Sequence, residues 1–222
     1  MEKIVQANQF IQANKGKVKT EYRLNYHLMG EHGWINDPNG FIYFGGEYHL
    51  FYQYKPVWGQ MHWGHAVSKD LVLWRQLPVA LAPDCPYDQG GCFSGSALER
   101  KNRLYLMYTG IVYTGPDKAK EYRQTQCLAY SEDGVVFKKL KANPVIGEHL
   151  IPEEASKRDF RDPKLIRRGA TYYALIGSKD RLEKGQVLLY KSKDLLNWHY
   201  INVAVKSDGR MGNMWECPDF FR

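Results

Sequence analysis

Apolar positions in this chain gather into short, aromatic-rich runs. No helical period of useful length appears except over Lys3–Asn14. Three runs are equivalent: Glu47–Gln53, Arg103–Thr109 and Thr171–Gly177. Each follows a glycine- or charge-containing turn, which predicts the returning strand of a hairpin. Downstream of each stands one signature: Ser68-x-Asp70-x-x-x-Trp74, Ser131-x-Asp133-x-x-x-Phe137 and Ser192-x-Asp194-x-x-x-Trp198. Ser and Asp can bond their own backbone in a tight turn, and the aromatic residue then opens another strand. Upstream of each run lies a polar segment marked by Gly or Pro: Trp34–Gly40, Phe93–Ala97 and Asp159–Lys164. Each unit of about 60 residues therefore reads as strand, hairpin, strand, crossover, strand, turn, strand. That is one blade of a β-propeller, in an all-β fold.

A fourth unit opens at Trp215-Glu216-Cys217-Pro218-Asp219. Propellers close with about four to eight blades. Three blades and the start of another predict a piece of a longer protein, or one that self-associates to cover open sheet edges. The expected organisation is an N-terminal extension over 1–25 and a partial propeller over 26–222.

Aromatic residues make up 14% of the chain, which suits both packing on pleated strands and stacking on sugar faces. The formal charge of +7 raises the question of nucleic acid. The basic residues are scattered, without a run of five, as on a solvated surface. Neither nucleic acid nor a membrane is expected as a partner, and the excess charge is compatible with an anionic small substrate. Cys85, Cys92, Cys127 and Cys217 form no C-x-x-C pair and no zinc spacing. Met1–Lys19 is polar, without the apolar core of a signal peptide. The expectation is a cytoplasmic protein with free thiols.

Three acidic motifs occupy equivalent places: Asp37 in Trp34–Gly40, Asp162 in Phe160–Lys164 and Glu216 in Trp215–Asp219. In the second unit the place belongs to Ser94. Asp37 lies 11 residues before Tyr48, Ser94 lies 10 before Leu104 and Asp162 lies 10 before Tyr172. The first strand of each propeller blade lines the central axis, so these residues should converge on one funnel. A lone Asp-Pro is usually a turn, but three acids in register across a repeat point to joint chemistry. Glycosidic cleavage needs such a set: one carboxylic acid protonates the leaving oxygen and another carboxylate attacks or activates water. Crowding should lift the pKa of one member. A metal site is the rival use of clustered carboxylates, but no histidines are spaced beside them.

The motifs W-I-N-D-P-N-G, F-S-G-S, F-R-D-P-K and W-E-C-P-D, in this order, resemble glycoside hydrolase family 32 from about Tyr26 to Arg222. The resemblance implies a five-bladed propeller, of which the first three blades and the start of the fourth are present. It implies a retaining β-fructofuranosidase without metal or cofactor. Asp37 would be the nucleophile, Glu216 the general acid/base and Asp162 the transition-state stabiliser. Asn36, Gln53, Trp58, Trp63, Phe93, Ser94 and Arg161 would line the sugar pocket. Retention predicts the Asp37 and Glu216 carboxyls about 5–5.5 Å apart. Gly91–Ala97 and Met61–Ser68 are similar to the bacterial group that acts on sucrose 6-phosphate. Sucrose or fructans are the alternative substrates. A sugar-binding fragment without turnover is the other reading of the chain taken alone. Cys217, beside the acid in sequence, would tune its pKa.

Overall fold

The computed structural model describes residues 2–57 and 59–221. It holds one α-helix, α1 (Glu2–Asn14), and three four-stranded antiparallel sheets, each formed by strands consecutive in sequence. The first sheet contains β1 (Trp34–Phe44), β2 (Glu47–Lys55), β3 (His62–Ser68) and β4 (Arg75–Leu81). The second contains β5 (Gly91–Arg100), β6 (Arg103–Tyr113), β7 (Tyr122–Ser131) and the two-residue β8 (Lys138–Lys139). The third contains β9 (Ala155–Arg168), β10 (Thr171–Asp180), β11 (Gly185–Ser192) and β12 (Trp198–Lys206). Met211–Phe221 contains no strand.

Local chemistry accounts for much of this repetition. The first hairpin closes through Gly45 and Gly46, with φ of +60° and +91°, between the paired residues Phe44 and Glu47. Two positive-φ residues match the right-handed twist of the strands they join. The Ser/Asp signature forms the same turn three times. In the first sheet Ser68 Oγ accepts the N–H groups of Asp70 and Leu71, while Asp70 Oδ1 accepts those of Val72 and Leu73. The fourth residue is left-handed in every copy: Leu71 at +65°, Gly134 at +74° and Leu195 at +72°. Glycine takes that conformation freely. The two leucines are held there by the same bonds, and Leu195 is also wholly buried.

Strand alternation divides the side chains between neighbouring layers. On β2, Phe51 packs with Trp63, Leu106 and Tyr108 between the first two sheets. Tyr52 and Tyr54 point the other way and join Ala7 and Ile11 of α1. The helix therefore covers the outer side of the first sheet. Asn8 Oδ1 anchors it by accepting the Val79 N–H at 2.9 Å. The second and third sheets enclose Met107, Leu128, Phe160, Ile176 and Tyr190. Between them the Ser96 hydroxyl donates to Pro163 O at 2.7 Å and accepts the Leu165 N–H at 2.8 Å, joining β5 to β9.

Candidate active site

Each inner strand carries a β-bulge at the level of its candidate residue. On β1, Ile35 pairs with Tyr54 and Pro38 with Tyr52, so Asn36 and Asp37 together face one residue of β2. On β5, Phe93 pairs with Thr109 and Gly95 with Tyr108, which leaves Ser94 as the extra residue. On β9, Arg161 pairs with Gly177 and Lys164 with Leu175, so Asp162 and Pro163 share one partner. A bulge bends its strand and re-aims a side chain. Pro38 and Pro163 fit there because proline has no N–H to give the ladder. Asp162 also adopts φ +61°, a conformation Asp tolerates better than most residues. Its N–H donates to Thr109 Oγ1 at 3.0 Å.

Hydrogen bonds tie these side chains together. Ser94 Oγ donates to Asp37 Oδ2 at 2.6 Å and accepts from Gln53 Nε2. Asp162 Oδ2 accepts the Cys217 N–H at 3.0 Å. Cys217 Sγ lies 3.7 Å from Asp37 Oδ2 and 3.8 Å from Asp162 Oδ2. Partial burial and the charges of Asp162, Asp37 and Glu216 push this thiol up, so it stays protonated and can donate to either carboxylate. Its sulfur contacts are thus with Asp37 and Asp162, not with the carboxylate beside it in sequence.

Arg161 links the carboxylates to a buried base. Its Nε and Nη2 reach Glu216 Oε1 at 3.0 and 2.9 Å. Its Nη1 reaches Asp159 Oδ1 at 3.0 Å and Gln124 Oε1 at 3.3 Å. Burial opposes its charge, but the bonds to Asp159 and Glu216 outweigh that and hold the guanidinium more firmly protonated. Asp162, 6% exposed, is raised to about 6. Burial is the main cause, and the Cys217 N–H and Arg161 work against it. Crowding by Glu216 and Asp37, the cause expected from the sequence, is a lesser contribution.

A cavity of about 400 Å³ collects Asn36, Asp37, Gln53, Phe93, Arg161, Asp162 and Glu216. Ser94 sits behind Asp37, 1% exposed. Trp63 is a correction to the expected pocket wall. It is wholly buried between the first two sheets, and its indole N–H donates to Phe93 O at 2.9 Å. As a residue of β3 it is the cross-strand partner of Gln53, and it packs beneath the cavity wall that Gln53 and Phe93 form rather than in it. Trp58 lies outside the described residues.

Other contributors carry no motif. Gln124, Thr109 and Asp159 are buried polar residues, and each fixes Arg161 or Asp162. Their signal is a polar residue in an apolar strand context, which sequence alone does not connect to a partner. Gly177 is another. A Cβ there would meet Trp215 O at 2.3 Å, so only glycine lets the Trp215–Cys217 segment lie against β10. Among the described residues, one group of metal-ligand type is brought together, Asp84, Cys85 and Asp88. Lys139 Nζ stands 2.6 Å from both of its carboxylates and supplies the counter-charge itself.

Residues 27–222 match the N-terminal domain of glycosyl hydrolases family 32. The chain belongs to glycoside hydrolase family 32. Escherichia coli sucrose-6-phosphate hydrolase is 44% identical over 201 residues, covering 89% of this chain and 41% of that protein. Bacillus subtilis levanase is 44% identical over 213 residues, 90% of this chain and 29% of its own. A mutant of the Bombyx mori family 32 β-fructofuranosidase, solved in complex with sucrose, superposes with a TM-score of 0.89 at 44% identity. That match covers 98% of this chain and 45% of the Bombyx mori chain. This family 32 chain thus spans less than half the length of these relatives. The family's N-terminal domain is a five-bladed propeller, and the three sheets are three of its blades. No helix among the described residues is long and apolar enough to cross a membrane.

Proposed function

We propose that the protein is a β-fructofuranosidase that cleaves sucrose 6-phosphate, and sucrose, with retention. The observation that carries this reading is the convergence of Asp37, Asp162 and Glu216 on one cavity from widely separated segments. Asp37 Oδ2 is occupied by Ser94, while Oδ1 has no hydrogen bond among the described residues. Oδ1 is therefore the atom to attack the anomeric carbon of the fructosyl group. As the glycosidic C–O bond breaks, Glu216 delivers its proton to the departing oxygen. Water then attacks the same carbon, Glu216 takes up its proton, and the Asp37 ester bond breaks. Glu216 Oε1 is held by Arg161, which leaves Oε2 for this exchange. Asp162, charged above about pH 6, accepts hydrogen bonds from fructosyl hydroxyls and stabilises oxocarbenium character.

Similarity to sucrose-6-phosphate hydrolases supports the phosphorylated substrate and a cytoplasmic enzyme. Similarity to a levanase and to a β-fructofuranosidase solved with sucrose supports unphosphorylated fructosides as the second reading. The test is release of glucose 6-phosphate from sucrose 6-phosphate, with sucrose and a levan in parallel. Asp37→Asn should lower kcat by about a thousandfold or more. Turnover that survives this substitution would remove Asp37 from the mechanism.

A further inference from the structure

One charged side chain of the cavity has no part in the mechanism above. Between β6 and β7 the chain forms a compact loop over 114–121. Thr114 N–H donates to Glu121 O at 2.8 Å, and Glu121 N–H donates to Asp117 O at 2.7 Å. The Glu121 carboxylate accepts the Asp117 N–H at 2.8 Å, and the Asp117 carboxylate accepts the Ala119 N–H at 3.1 Å. These bonds give the loop a shape of its own. Lys118 at its tip lines the same cavity as Asp37 and Glu216. Its Nζ lies 5.2 Å from the centre of the Tyr113 ring, which supports the ammonium without neutralising it.

Arg161, the other cation of the cavity, is held at each of its three guanidinium nitrogens by Glu216, Asp159 or Gln124. Asp117, the carboxylate next to Lys118, pairs instead with Lys120 at 3.8 Å. Lys118 makes no ion pair among the described residues. Exposure sets a direction through the site: Asp162 is buried, Asp37 intermediate, and Glu216 and Lys118 exposed. A fructosyl group over Asp37 would send its leaving group outward past Glu216, into the exposed part of the cavity that Lys118 also lines. An ammonium with free donors at that point favours an anionic leaving group and gains little from a neutral one.

We propose that Lys118 is a specificity-determining residue that binds the phosphate of a phosphorylated leaving sugar. The assignment rests on the fructosidase reading and adds the element that selects within it. The experiment compares kcat and KM for sucrose 6-phosphate and for sucrose in the native full-length protein, in Lys118→Met and in Lys118→Arg. In Lys118→Met the ratio of kcat/KM for the phosphorylated over the plain sugar should fall about tenfold, equivalent to about 1.4 kcal/mol. The loss should lie in KM, and Lys118→Arg should recover most of it. A ratio that stays constant in Lys118→Met overturns the assignment. A native protein that cleaves sucrose with no preference for the phosphate also overturns it, while leaving the fructosidase reading standing. A native protein that cleaves neither sugar removes both.

Discussion

Replacing Asp162 with Asn should make the protein more stable and less active, and the gain in stability should depend on pH. The buried carboxyl has risen from 3.8 to about 6. Between these values the folded protein binds the Asp162 proton more tightly than the unfolded chain does. Stability from this group is thus complete below about 3.8 and is lost as pH rises through about 6. At about 1.4 kcal/mol for each tenfold in proton affinity, the loss at neutral pH is about 3 kcal/mol. Asn keeps the shape and can still accept the Cys217 N–H, but it carries no charge to desolvate. The stability difference, Asn minus Asp, should therefore grow by about 2.4 kcal/mol from pH 4 to pH 7. In a protein of this size that is a relative gain of about 5–10 °C in Tm. Thermal melts of both proteins across that range, followed by circular dichroism, measure it. A difference that stays flat with pH, or that falls toward neutrality, would refute the argument. Turnover by the parent protein should meanwhile decline as pH drops through about 6, because protonated Asp162 no longer offers charge to the transition state.

Two further outcomes follow from packing. Gly177→Ala should preserve the sheets while lowering kcat, because the new Cβ must displace the backbone of Trp215 beside Glu216; unchanged kinetics would show that this contact does not position Glu216. Lys139→Met leaves the wholly buried Asp88 carboxylate without its cation, 2.6 Å away, and should cost about 3–5 kcal/mol in urea denaturation. Adding Asp88→Asn should recover much of that loss.

The site also carries a cost in stability. Two non-glycine residues of the site hold positive φ, Asp162 at +61° and Cys217 at +46°. Such conformations cost on the order of 1–3 kcal/mol each and persist when the surroundings over-determine them. Here the Cys217 N–H bond to Asp162, the Thr109 hydroxyl and the glycine at 177 supply that support.

Sequence alone determined whatever depends on a few neighbouring residues. The Ser/Asp turns follow from side chains bonding their own backbone, and Gly45-Gly46 sets its hairpin by conformational freedom. The common placing of Asp37, Ser94 and Asp162 before their second strands was legible because the blades repeat. Tertiary structure decided the rest. The bulges depend on how each strand pairs with its neighbour, and they set where Asp37 and Asp162 point. Trp63 reads as pocket wall in its motif, yet packing of the first two sheets buries it beneath Gln53 and Phe93. Lys118 looks like one more solvated lysine until the 114–121 loop brings it to the cavity that Glu216 also lines, nearly 100 residues away in sequence. Local hydrogen bonds can be read from short spacings. The direction of a side chain between packed sheets, and the charges it meets there, exist only once distant strands have packed.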